Sequence, residues 1–129
     1  MIQAAVHKIK ETGYDHIIAL SIATGLSSTL NGMKLACDMV GMPVTLIDTK
    51  GTASNHRYLI RVAKKLIDDK SINDIESILT AMIEQSGTLI MAPNLDHLKK
   101  GGRITPAVAM LGNLLKIVPV MKLNYESWW

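Results

Sequence analysis

The chain has 129 residues, 48% hydrophobic and 19% charged, with a formal net charge of +3. That balance fits one soluble globular unit or a portion of a larger one, and it excludes a disordered chain, which would lack the apolar surface needed to fold. No stretch approaches the roughly 18–20 uninterrupted apolar residues of a membrane-spanning helix, so membrane insertion is not expected. The opening MIQAAVHKIKETG carries charge too early for a secretory signal, which makes the cytoplasm the expected compartment. Cys37 is the single cysteine, too few for a disulfide framework, and is expected as a small core residue. Basic residues are dispersed and aromatics are only 4%, so neither a nucleic-acid patch nor a base-stacking platform is expected. Eight methionines and no phenylalanine supply flexible apolar filler, suited to a helical core or to a pliable pocket.

In chain order, Ile2, Val6 and Ile9 fall near helical spacing and predict a short amphipathic helix over 2–11, stopped by Thr12-Gly13. HIIALSIA, 16–23, is a near-continuous apolar run of the kind found in strands buried on both faces. The turn SIATGLSSTLNG follows, and then Leu30, Met33, Ala36, Cys37 and Val40 form the stripe of a helix over 29–40, closed by Gly41 and Pro43. VTLID, 44–48, reads as a second buried strand that ends in the polar turn TKGTASN. Leu59, Val62, Ala63, Leu66 and Ile67 mark the inner face of the next helix. Ser71 with Asp74 three places on has the capping-box spacing, opening a helix with the stripe Ile72, Ile75, Leu79, Met82 and Ile83. TLIMAP, 88–93, reads as a third strand and NLDHLKKGGRIT as a polar, glycine-bearing stretch. Thr105-Pro106 resembles an N-cap and first helical position, with Ala109, Met110 and Leu114 expected inward. KIVPVMKLN is β-like, with Pro119 favouring an edge or a bulge. Alternating strands and helices predict an α/β fold with a largely parallel sheet and flanking helices.

Ligands of open α/β sheets gather outside the carboxyl ends of the strands, where loops meet helix N-termini. SIATGLSSTLNG occupies that place. The free N–H groups and dipole of the following helix would receive a carboxylate or phosphate there, with the hydroxyls of Thr24, Ser27, Ser28 and Thr29 adding donors. Gly25 would let the chain turn tightly at positive φ. The same residues would equally serve as helix caps. In LKKGGRI, 98–104, the glycines permit backbone approach to an anion and Arg103 can fork onto a carboxylate or phosphate, although an ordinary exposed turn has the same composition. Asp48, at a strand end, would orient hydroxyls or cap the following turn.

No P-loop and no dinucleotide fingerprint occurs. His7, His16, His56 and His97 show neither HxxxH nor HxH spacing, so no metal site is predicted. The absence of GxSxG, with no His and acid placed beside a serine, gives no catalytic constellation. No cofactor is expected, and a binding role is favoured over catalysis.

The order SIATGLSSTLNG, VTLIDTK, LDHLKKGGRI, LGNLLKIVPVM, spread over residues 14–122, resembles the DegV family, whose members read SSGLSGT, a VIDS-like strand end, LxYLKKGGRI and an lLxIKPi segment. The resemblance implies a bacterial protein that binds a long-chain fatty acid between two α/β domains, holds its carboxylate with hydroxyl residues and presents it to a fatty acid kinase. By position, Thr24 matches the second serine of SSG, Gly25 its glycine, Ser27 the serine and Thr29 the threonine of LSGT, and Arg103 the arginine of GGRI. Ser28 replaces the glycine of LSGT, and His97 stands where tyrosine is usual.

Family members are usually more than twice this long and begin with a strand and a TSQPS-like loop that has no counterpart here. The expectation is therefore an incomplete two-domain fold. Residues 1–85 would form the later half of the first domain and 86–129 the opening of the second, with self-association into a homo-oligomer able to supply missing walls. Two other readings remain open: binding or transfer of a phosphorylated small metabolite at the same turn, and a truncated fragment that binds nothing.

Overall fold

In a computed structural model, residues 1–115 and 118–123 are described, apart from the side chains at positions 111 and 113. Six helices and four strands lie in these segments: α1 (Ile2–Glu11), β1 (Ile17–Ser21), α2 (Thr29–Val40), β2 (Val44–Asp48), α3 (Ala53–Leu66), α4 (Ile72–Glu84), β3 (Thr88–Met91), α5 (Asp96–Lys100), α6 (Pro106–Leu115) and β4 (Val120–Leu123).

β1 and β2 run parallel, in a register that sets Ile17 opposite Val44 and Ser21 opposite Asp48. Alternate side chains of a strand point to opposite faces, and both faces are covered. Ile17 and Val44 pack with Val6, Ala36, Cys37 and Met42 beneath α1 and α2. Ile18, Leu20 and Ile47 pack on the other side with Leu59, Ala63, Ile75, Leu79 and Ile83 of α3 and α4. This three-layer arrangement is why HIIAL and VTLI lack clean polar alternation.

The helix ends follow local chemistry. Gly41 closes α2 in the left-handed region at φ 65°, ψ 45°, while the Met42 N–H reaches back to the Cys37 carbonyl at 2.9 Å and satisfies an end that would otherwise be orphaned. Ser71 Oγ accepts the Asp74 N–H at 3.1 Å and donates to Asp74 Oδ2 at 2.7 Å, so the side chains close the first turn of α4. Thr105 Oγ1 accepts the Val108 N–H at 3.4 Å ahead of Pro106, as the N-cap reading requires.

β3 and β4 form a second, antiparallel pair with Thr88 opposite Leu123 and Met91 opposite Val120. Their inner face joins Leu95, Ile104, Ala109 and Met121 in a separate core. The α/β class and the flanking helices hold, whereas this pair is not parallel: an apolar run of four residues has no feature that distinguishes the two directions. Leu89, Met91 and Val120 lie exposed on its outer face.

Three further expectations change. Ile67 is 58% exposed because it lies at the C-terminal cap of α3, one residue beyond its last turn. Met110 and Leu114 point outward, at 69% and 71% exposure. Ala109 faces inward as expected and shares the inner face of α6 with Gly112, so close to Leu95 that a Cβ at Gly112 would come within 2.7 Å of its Cδ1. The polar, glycine-bearing NLDHLKKGG contains the short helix α5, and part of the TKGTASN turn already belongs to α3. Of the predicted KIVPVMKLN strand, Lys116, Ile117 and Asn124 lie outside the described residues, as does the terminal sequence from Asn124 to Trp129.

Candidate functional site: a hydroxyl-lined cleft at the strand ends

The carboxyl ends of β1 and β2 are fastened before the site begins. Thr49, fully buried, donates through both its hydroxyl (2.7 Å) and its N–H (3.1 Å) to the carbonyl of Ser21. The Ala23 N–H then binds the Gly51 carbonyl at 2.8 Å. The connecting turn places two non-glycine residues, Lys50 and Ala53, at φ 51° and 50°. Such backbone costs energy and persists only where its surroundings over-determine it.

Asp48 ties the two strand-end turns together. Its Oδ2 accepts the Thr24 hydroxyl at 2.6 Å and the Thr24 N–H at 3.3 Å, and its Oδ1 accepts the Lys50 N–H at 2.8 Å. Both roles considered for this residue are therefore present: it orients a hydroxyl and closes an Asx-type turn.

Beyond Thr24 the chain turns through Leu26 N–H (2.9 Å) and Ser27 N–H (3.2 Å) bonds to the Ala23 carbonyl. Gly25 is not in the left-handed region, contrary to expectation, because this turn is one that any residue can adopt. A Cβ at Gly25 would meet nothing within 4 Å, so this stretch of the cleft is open. Ser27 and Thr29 share a hydrogen bond of 2.6 Å between their hydroxyls, and Ser27 Oγ accepts the Thr29 N–H at 3.3 Å. Ser28 is the N-cap residue of α2 and makes no side-chain cap bond. The capping alternative is thus met in part, by Ser27 at one N–H, and the rest of the first turn of α2 keeps N–H groups without helical partners.

Arg103 approaches from the far side. Its Nε donates to the Leu26 carbonyl at 3.2 Å across 77 positions of sequence, and its Nη1 donates to the Gly101 carbonyl. Gly102, at φ 71°, turns the loop after α5 in a conformation that disfavours other residues. A cleft of about 380 Å³ lies between the two turns, lined by Thr24, Gly25, Leu26, Ser27, Ser28 and Asn31 on one side and by Gly101, Gly102 and Arg103 on the other. Of the predicted residues, Thr24, Gly25, Ser27, Ser28 and Arg103 face this cleft, and Thr29 stands behind Ser27.

Asn31 escaped the sequence reading. The available signal was its place in the first turn of α2, where helical side chains lean back toward the N-terminus. On the neighbouring surface, Lys99, Pro106, Ala107, Met110 and Leu114 line a mostly apolar depression of about 550 Å³.

The histidines are dispersed: His16 Nε2 lies 3.0 Å from Thr45 Oγ1, and His56 Nε2 lies 3.2 Å from the Leu20 carbonyl. Among the described residues no cluster of His, Cys, Asp or Glu has the makings of a metal site, and no helix is long and apolar enough to cross a membrane.

Fold and cleft together define an α/β protein with a hydroxyl-lined cleft at the carboxyl ends of its parallel strands. The family described as "Uncharacterised protein, DegV family" matches residues 1–127, and the chain belongs to that family. A DegV domain-containing protein of Lactococcus lactis is 31% identical over 119 residues, covering 88% of this chain and 41% of the relative. One from Clostridium acetobutylicum is 30% identical over 119 residues, covering 91% and 42%. A fatty acid binding DegV family protein from Streptococcus agalactiae superposes with a TM-score of 0.82 at 28% identity, over 95% of this chain and 44% of that structure. A fatty-acid-binding DegV family protein from Thermus thermophilus gives 0.80 at 28% identity, over 98% and 45%. The chain therefore spans about two fifths of the length of the curated relatives it matches.

Proposed function

We propose that this chain binds a long-chain fatty acid, holds its carboxylate in the cleft between the 24–28 turn and the 101–103 loop, and presents it to a fatty acid kinase. The observation that carries this reading is the Arg103 to Leu26 hydrogen bond, which closes a hydroxyl-rich turn and a guanidinium around one space. A guanidinium has five N–H groups and two are committed here, which leaves three for a bound oxygen. The fatty acid binding of these solved relatives supports the choice of lipid. Thr24, Gly25, Ser28 and Arg103 are exposed, so a head group seated among them would remain within reach of a second protein. The tail would supply most of the affinity, at about 0.8 kcal/mol for each CH₂ removed from water. The exposed apolar residues of α6 offer one surface for it. In the same reading, the cores on the two sides of residue 85 belong to two domains and the ligand lies where they meet.

Native mass spectrometry of the purified chain, followed by denaturing extraction and lipid identification, tests this. A stoichiometric fatty acid is expected, or uptake of added palmitate or oleate by empty protein. A chain that stays empty in the presence of both would refute the reading. The polar lining of the cleft favours a second reading, a phosphorylated small metabolite, and competition separates the two: displacement by phosphate but not by oleate would select the metabolite.

A further inference from the structure

Every hydrogen bond at the Asp48 side chain is one that it accepts, and the shortest comes from Thr24 Oγ1 at 2.6 Å. A threonine hydroxyl has a single proton. With that proton held by Asp48, the Thr24 oxygen can offer the cleft only lone pairs. The Ser27–Thr29 pair differs, because one of its two protons is used between the partners and the other stays available. Ser28 and the unused N–H groups of Arg103 add donors on that side. The cleft is thus divided, with an acceptor at Thr24, backed by a carboxylate, and donors at Ser27, Ser28 and Arg103.

We propose that Asp48 is a positioning residue that fixes Thr24 as an acceptor and thereby makes the cleft select a singly charged head group, such as a carboxylate, against a dianionic one. This assignment rests on the fatty acid reading above. One negative charge is matched by Arg103 and the donors beside it. A second charge on the same head group would meet the lone pairs of Thr24 with Asp48 directly behind them, where no proton is left to donate.

Dodecanoate and dodecyl phosphate share a tail, so the ratio of their affinities isolates the head group. At pH 8 the phosphate is mostly dianionic, its second pKa being about 6. In the Asp48→Asn variant the amide can donate to Thr24 Oγ1, which frees the threonine proton for the ligand. Calorimetric titration should show the dodecyl phosphate to dodecanoate affinity ratio rising about tenfold or more, the scale of one hydrogen bond to a charged group. In a Thr24→Val background the same substitution should move the ratio less than about threefold, since the residue it acts through is gone. A ratio unmoved in Asp48→Asn, or moved equally in both backgrounds, would overturn the assignment.

Should Asp48→Asn not fold, Thr24→Ser and Thr24→Val decide the matter. Serine keeps the oxygen and should keep the wild-type ratio, whereas valine removes it and should raise the ratio several-fold; equal ratios in the two would overturn the assignment. Failure of the wild-type protein to bind either amphiphile would overturn the fatty acid reading together with this one. Binding of dodecanoate with an unmoved ratio overturns this one alone.

Discussion

Leu79 and Leu114 allow the same chemical change to be made at opposite extremes of burial, so the packing described above predicts two different outcomes for Leu→Ala. Leu79 is fully buried, in contact with the cluster formed by Ile47, Leu59, Ala63, Ile75 and Ile83. Truncation removes roughly three carbons, worth about 2.4 kcal/mol at 0.8 kcal/mol each, and the cavity left in a well-packed core raises the cost into the range of about 2–5 kcal/mol. Leu114 is 71% exposed, and its truncation should cost less than about 0.5 kcal/mol. Urea titration followed by far-UV circular dichroism should therefore show Leu79→Ala with a lowered midpoint and an unchanged slope, and Leu114→Ala close to wild type. Ile47 immediately precedes Asp48 in β2, so the first variant should also weaken ligand binding. A cost below about 1 kcal/mol at Leu79 would refute the placement of the α3–α4 core. A cost above about 1.5 kcal/mol at Leu114 would mean that the outer face of α6 is covered in solution, by a second copy or by a bound tail.

Ser71→Ala should destabilise the chain by about 1 kcal/mol through loss of the N-cap, and Ser71→Thr should recover most of that; a neutral Ser71→Ala would contradict the capping-box bonds. Cys37 is 1% exposed, and burial holds its thiol above the ordinary value, with Asp38 adding to the effect. Ellman's reagent should accordingly react with the native chain at least about a hundredfold more slowly than with the urea-unfolded chain, and similar rates would contradict that burial. The sign of the linked pH dependence follows from the same shift. The unfolded thiol ionises first, so the stability contributed by neutral, buried Cys37 is present at neutral pH and is lost as pH rises through the unfolded and then the folded value. Cys37→Ala should flatten that alkaline decline, and an unaltered decline would assign it to other groups.

The first half of the fold was legible because its signals are local and redundant. Gly41 after the stripe of α2, and Ser71 with Asp74 before that of α4, fix helix ends by chemistry confined to a few residues. The runs ending in Ser21 and Asp48 needed only burial on both faces to be read as parallel strands. From residue 86 onward the Thr105-Pro106 cap is again local, but two other signals fail for physical reasons. The inward face of α6 consists of Ala109 and Gly112, small residues chosen by close approach to Leu95, so the large apolar residues mark the wrong side. β3 is short, and its direction depends on a partner strand about thirty residues away.

At the site, the serine- and threonine-rich turn and the GGR loop could each be singled out from residue types. Their apposition is a long-range fact, carried by one bond between Arg103 and the Leu26 carbonyl. The Thr24 to Asp48 bond is of the same kind: each residue was a candidate, and only the register of β1 against β2 brings them together. At Gly25 the turn needs no left-handed residue, and the glycine borders open space in the cleft instead.

The central claim is that a fatty acid carboxylate sits between the 24–28 turn and Arg103, and carbon-13 NMR of palmitate labelled at its carboxyl carbon tests it most directly. Added to delipidated protein, the label should give one bound resonance distinct from free palmitate. That resonance should shift or be lost in the Ser27→Ala, Arg103→Ala double variant, which should retain the far-UV circular dichroism spectrum of the parent. A carboxyl resonance that stays at the free position, or a bound resonance identical in parent and double variant, would contradict the account.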